Sequence, residues 1–174
     1  MLITGDGILS NRKGNEIGVH SIGRVNLKEL IYLDYHILQP ATFFHRDILK
    51  KHKLNNFLIF DADFFISIFS DKINFIKLQD KIAAFRMYGE NITDNKKLKR
   101  RSFKEKIAIM KKYSDSRFDL FLGTIYQLLS LILKDKCERY SFTHKLYSRL
   151  MNSYREFCYR KILDESYADR YISK

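Results

Sequence analysis

Cysteine is scarce in this 174-residue chain: Cys137 and Cys158 are the two present, and their spacing suggests neither a zinc site nor a redox pair. That scarcity fits a reducing, cytoplasmic setting. No apolar run approaches the ~20 residues that span a bilayer; the best, Leu128 to Leu133, is far shorter. The start, MLITGDG, has no basic segment followed by an apolar one, which argues against a secretory signal. One proline, Pro40, and no Gly/Ser-rich stretch leave no flexible linker, and there is no internal repeat. The five histidines, His20, His36, His45, His52 and His144, lack the i, i+4 pairing of a helical zinc site.

What remains is a chain that folds. A 45% hydrophobic and 14% aromatic composition excludes a disordered polymer. A chain of this length buries roughly 70% of the surface it exposes when unfolded, enough for one real core. The formal charge of +12 is unevenly spread: residues 1–95 carry 12 basic and 11 acidic side chains, residues 96–174 carry 20 and 9. The sharpest basic feature is KKLKRRSFKEK, residues 96–106. It reads either as a solvated helix face or as an attachment to anionic lipid, worth about 1 kcal/mol per basic residue near the surface. Phe118, Phe121, Tyr126, Tyr140, Phe142 and Tyr147 could then supply an interfacial face. Nothing resembles an RNA-binding signature.

Along the chain, Met1 to Thr4 reads as a strand end, GDG as a turn, NRKGN as a second turn and EIGVHSIG as an extended segment. NLKELIYLDYHIL predicts a short helix capped by Asn26, with Leu27, Leu30, Ile31 and Tyr35 on one face. ATFFH is β-prone, and RDILKKHK predicts a short helix with Ile48 and Leu49 inward. DADFFISIFSDK has apolar residues at 64, 65, 68 and 69, which is helical spacing, and Asp61 and Asp63 fall in its first turn. INFIKLQ and KIAAFRMY read as two strands separated by a charged turn, and three amphipathic helices follow Asn95.

The two aspartates interrupt almost wholly apolar surroundings. They suit the positive end of the helix dipole and could simply start the helix. Alternatively, one lies at the mouth of a pocket and takes a proton from an incoming hydroxyl, a task for a carboxylate ionised at neutral pH and fixed by its helix.

The order QPATFF, a short helix, DADFFISIF and then KIAAFRMYGENIT resembles the C-terminal half of family 2 glycosyltransferases with the GT-A fold. Upstream, ITGDGILSNRKGNEI is similar to the strand and turn that follow the metal-binding motif in such enzymes, so the likeness runs from about Ile3 to Thr93. The resemblance implies that Asp61 stands in the place of the catalytic base and Asp63 in the second acidic place; the alternative register makes Asp63 the base. It implies that Gln39, Pro40 and Thr42 lie beside the acceptor site, and that Arg86 is the arginine after the last strand. The chain departs from the family at Ala62, usually aromatic, and at Tyr88, usually histidine.

The expected fold is therefore α/β: a partial GT-A-like mixed sheet with flanking helices over residues 1–95, followed by a basic, mostly α-helical extension over residues 96–174. The family's donor-binding half, with its Asp-x-Asp metal motif, would precede Met1. Asp61-Ala62-Asp63 matches that motif as a string, but its position assigns it to the base, so no metal ligand is expected in this chain. The resemblance implies an inverting transfer of a sugar from a nucleotide sugar to a saccharide or lipid-linked acceptor. A divalent metal, Mg or Mn, would serve the complete enzyme. The chain is expected to be a fragment or one part of a split enzyme, inactive alone, cytoplasmic and peripheral at the inner face of the membrane, with a partner chain supplying the donor half. The rival from another class is a non-enzymatic basic module that binds anionic membrane or RNA through residues 96–174.

Overall fold

In a computed structural model of the chain, residues 1–22, 25–33, 35–87 and 96–137 are described, together with Arg149, Ser153, Tyr154 and Phe157. For 96, 97 and 133–137 the description covers the backbone alone. Tyr88, Thr93, Cys158 and most of the third expected helix lie outside the described residues.

The sheet is mixed and is built around β1 (Leu2–Ser10). One edge of β1 pairs in parallel along its length with β4 (Phe75–Arg86). Its other edge pairs antiparallel with β3 (Thr42–Phe44) over Leu2 to Thr4 and with β2 (Glu16–His20) over Gly7 to Ser10. The expected turn at NRKGN closes the β1–β2 hairpin, where Asn11 Oδ1 accepts from the N–H groups of Lys13 and Asn15.

Two sequence expectations fail here for one reason. GDG is not a turn: β1 runs straight through it, and its glycines answer to close neighbours. A Cβ on Gly5 would stand 2.8 Å from the Ile82 side chain and 2.9 Å from the Asp80 carbonyl oxygen. Between them, Asp6 accepts from Ser21 Oγ at 3.0 Å and from the Ile22 N–H at 2.9 Å, tying down the chain after β2. Nor do INFIKLQ and KIAAFRMY form two strands. They are one strand, β4, and Asp80-Lys81 sits where the β1–β4 register slips around Asp6. An irregular stretch in a ladder absorbs extra residues that a sequence reading takes for a turn.

The helices are α1 (Leu27–Tyr32), α2 (Ile48–Lys51), α3 (Phe60–Ser70), α4 (Lys96–Tyr113) and α5 (Arg117–Cys137). Asn26 caps α1 as expected, its Oδ1 accepting from the Lys28 N–H at 2.9 Å. Tyr35 lies beyond the end of α1 rather than on its face. The single turn of α2 buries Ile48, but Leu49 points outward with 49% exposure, against the inward placement expected.

Helix α3 is enclosed almost all round, with Ala62, Phe64, Phe65, Ile66 and Ile68 buried. A helix that is apolar on every side belongs in a core. Phe64 meets Phe44 of β3 edge to face at 5.4 Å and Phe65 at the same distance, a geometry that aromatic pairs prefer. Ile109 and Met110 of α4 and Leu122 and Tyr126 of α5 join the same buried cluster. The last carbonyls of a helix have no partner within it. In α1 these are met from the later helices, by Lys106 Nζ on Leu30 O at 3.0 Å and by Gln127 Nε2 on Tyr32 O at 3.1 Å.

Candidate active site

A pocket of about 220 Å³ opens where the turn Gln39–Ala41, β3, α2 and the start of α3 meet. Phe44, Leu49, Leu54, Phe60, Phe64 and Phe65 make its apolar walls, and Gln39, Thr42 and Asp61 are its polar members. The outward turn of Leu49 is thus what brings it to the pocket. Segments separated in sequence, QPATFF and DAD, share one cavity.

Asp61 is the half-buried carboxylate of this pocket. Burial raises its pKa above the ordinary aspartate value. Hydrogen bonds from the backbone N–H groups of Ala62 and Asp61, the charge of Lys106 and the Tyr35 hydroxyl act the other way without cancelling the rise. Neither aspartate serves as the helix cap, because the residue before α3 is Ile59, which makes no side-chain capping bond. Another helix holds the turn that leads into α3. Glu105 of α4 accepts from the Leu58 N–H at 2.7 Å and from the Ile59 N–H at 3.3 Å, and Arg101 Nε donates to Glu105 at 2.8 Å.

Asp63, one residue removed, has a different environment. It is only 3% exposed, and Lys112 Nζ donates to both of its oxygens at 3.0 and 3.1 Å. Asn55 Nδ2 adds a third bond at 2.6 Å. Burial alone would lower the Lys112 pKa, but its bonds to Tyr113 and Asp63 outweigh that and leave it raised.

The remaining expected site residues divide. Gln39 is exposed at the pocket, and Pro40 sits beside it in the same 3-10 turn. Thr42 lines the pocket, but its hydroxyl is engaged with Leu38 O at 2.9 Å and Thr4 Oγ1 at 2.8 Å, so it holds the turn onto β1. Arg86 is exposed at the far end of β4, opposite Ser10. Thr42 pairs with Thr4, which places the two roughly 20 Å apart along β1 at about 3.3 Å per residue.

Tyr35, Glu105 and Lys106 were missed by sequence reasoning. Tyr35 read as a core residue of a helix, while Glu105 and Lys106 were hidden in a basic run. The one available signal was the single acidic residue in KKLKRRSFKEK.

Among the described residues no group of three or more His, Cys, Asp or Glu side chains stands close enough to hold a metal ion. Asp61 and Asp63 do not form a joint donor set, since Asp63 is spent on Lys112 and Asn55. Among the described residues, Asp61 and Asp63 therefore offer no joint site for a divalent ion. Of the proposed interfacial aromatics, Phe118 and Phe121 are exposed, Tyr126 is buried at 5% exposure and stacked on Tyr154, and the others lie outside the described residues. No helix among the described residues is long and apolar enough to cross a membrane.

No protein-family model, curated protein or solved structure matches this chain.

Proposed function

We propose that the chain is the acceptor-side part of an inverting family 2 glycosyltransferase and that Asp61 is its general base. The observation that supports this most is the convergence of Gln39 and Asp61 on one apolar-walled pocket, with Asp61 free of any salt bridge among the described residues while its neighbour Asp63 is held in one. A carboxylate with a raised pKa, open to a pocket, is suited to receive a proton.

In the proposed step an acceptor O–H bond breaks and its proton goes to an Asp61 oxygen. The acceptor oxygen bonds to the anomeric carbon from the opposite face, and the bond from that carbon to the donor's diphosphate breaks, its electron pair leaving with the diphosphate. Donor and metal are assigned to polypeptide other than the residues described, as a fragment or split enzyme would require. Holding both substrates in register supplies much of such a rate, so the chain by itself should transfer no sugar. The acceptor is a saccharide or a lipid-linked saccharide.

The test is to recover the protein from its own cells with whatever chain accompanies it and to assay transfer from a set of nucleotide sugars. Transfer that depends on Asp61 supports the reading; transfer unaffected by Asp61→Asn contradicts the base assignment.

A second reading rests on α5, where Phe118, Phe121, Leu128 and Ile132 are exposed on one face of a strongly basic region. It makes residues 96–174 an anionic-membrane module, as an anchor for the enzyme or as a non-enzymatic function; RNA would draw on the same charges. Vesicles rich in phosphatidylserine should bind the protein and lose it as salt rises. Equal binding to neutral vesicles would contradict the electrostatic part.

A further inference from the structure

Tyr35 is the unexplained group beside the Asp61 carboxylate. Its hydroxyl is buried and makes no hydrogen bond of good geometry among the described residues. Buried polar groups in native proteins are almost always satisfied, so an orphaned phenol next to a carboxylate calls for a cause. The charge that Tyr35 faces is Asp61. Nothing about packing requires the oxygen, since a phenylalanine would fill the same space.

We propose that Tyr35 is the positioning residue of this site: its buried hydroxyl, next to Asp61 and satisfied by no other group among the described residues, donates to the Asp61 carboxylate and holds it toward the pocket. The proposal rests on the reading of Asp61 as the base only in calling the site catalytic. Tyr35 stays a donor throughout and gives up no proton, because burial and the charge of Asp61 push its own ionisation well above the ordinary tyrosine range. When Asp61 takes the acceptor's proton, the Tyr35 bond changes from charge-assisted to neutral and weakens. Among the described residues, the titratable groups that bear on Asp61 are Tyr35 after α1 and Lys106 on α4; on its own helix, Asp63 is paired with Lys112.

The experiment is a carbon-13 NMR titration of the Asp61 carboxyl in the full chain, compared with Tyr35→Phe. Loss of the donor should move the Asp61 midpoint to higher pH, because the bond favours the ionised form. Tyr32→Phe, which removes a hydroxyl bonded to Ser114 instead, should leave it in place. An unchanged midpoint in Tyr35→Phe overturns the proposal. If that variant does not fold, the wild-type protein still decides: the Tyr35 Cζ resonance should inflect at the Asp61 midpoint, an inflection that Asp61→Asn should abolish. A Tyr35 resonance that ignores Asp61 overturns the proposal as well. No sugar enters these measurements, so their failure leaves the transferase reading standing, and the failure of sugar transfer leaves Tyr35 and Asp61 coupled.

Discussion

The first turn of α3 has two sides, and they treat the same residue type in opposite ways. On the pocket side, Asp61 has backbone N–H groups, the charge of Lys106 and a wall of phenylalanines, and its ionised form is disfavoured by burial. On the α4 side, Asp63 is deeper, yet Lys112 and Asn55 satisfy it with three hydrogen bonds. Burial by itself therefore does not decide what a carboxylate does. The partner supplied by the next helix does, and α4 supplies one to Asp63 while using Glu105 to hold the turn before α3.

The largest effect should come from testing the two aspartates as bases. In the active assembly, Asp61→Asn should lower sugar transfer by about 10²- to 10⁴-fold, the usual contribution of a general base. Asp63→Asn should lower it far less per folded molecule. Initial rates normalised to folded protein make the comparison, and the reverse order would move the base to Asp63, as the alternative sequence register has it.

Stability should sharpen the contrast. Lys112→Met leaves the Asp63 carboxylate buried without its cation; since the lysine is 55% exposed, water already screens the pair, and the cost should be about 1 to 3 kcal/mol. Most of it should vanish when Asp63→Asn is added, a coupling that a double-mutant cycle in urea reads directly. Smaller still, Glu105→Ala should cost about 1 kcal/mol by leaving the Leu58 and Ile59 N–H groups before α3 without their acceptor. It should also loosen Asp61, visible as faster amide exchange at Leu58 and Ile59.

The subtlest difference is in pH. Because the folded-state pKa of Asp61 is raised, its protonated form favours the native state. That contribution is fully present below the ordinary aspartate value of about 3.9 and is lost as pH rises through the raised folded value. Over that window, wild-type stability should fall relative to Asp61→Asn, as urea unfolding at a series of pH values would report.

Much of this architecture was legible because local chemistry and tertiary packing agreed. The Asn26 cap, the NRKGN turn, the β-prone ATFFH and the placement of Asp61 and Asp63 in one helical turn all follow from side chains acting within a few residues. The link between QPATFF and DAD was readable only through resemblance, since no periodicity brings Gln39 to Asp61. What escaped was long-range. Gly5 makes room for β4, at Ile82 and Asp80, and Gly7 for the Leu38 side chain, neighbours that do not show in their own segment. Tyr35, Glu105 and Lys106 act on α1 and α3 through contacts across the chain, and a basic run offers no hint that one of its members holds the turn before a distant helix.

The division of labour between the two aspartates can be measured most directly by equilibrium urea unfolding of Asp61→Asn and Asp63→Asn side by side at pH 7. Asp61→Asn should be at least as stable as wild type, while Asp63→Asn should be clearly less stable, with unchanged denaturant dependence in both. A destabilised Asp61→Asn beside a neutral Asp63→Asn would contradict the account, since it would make Asp61 the structural carboxylate and Asp63 the available one.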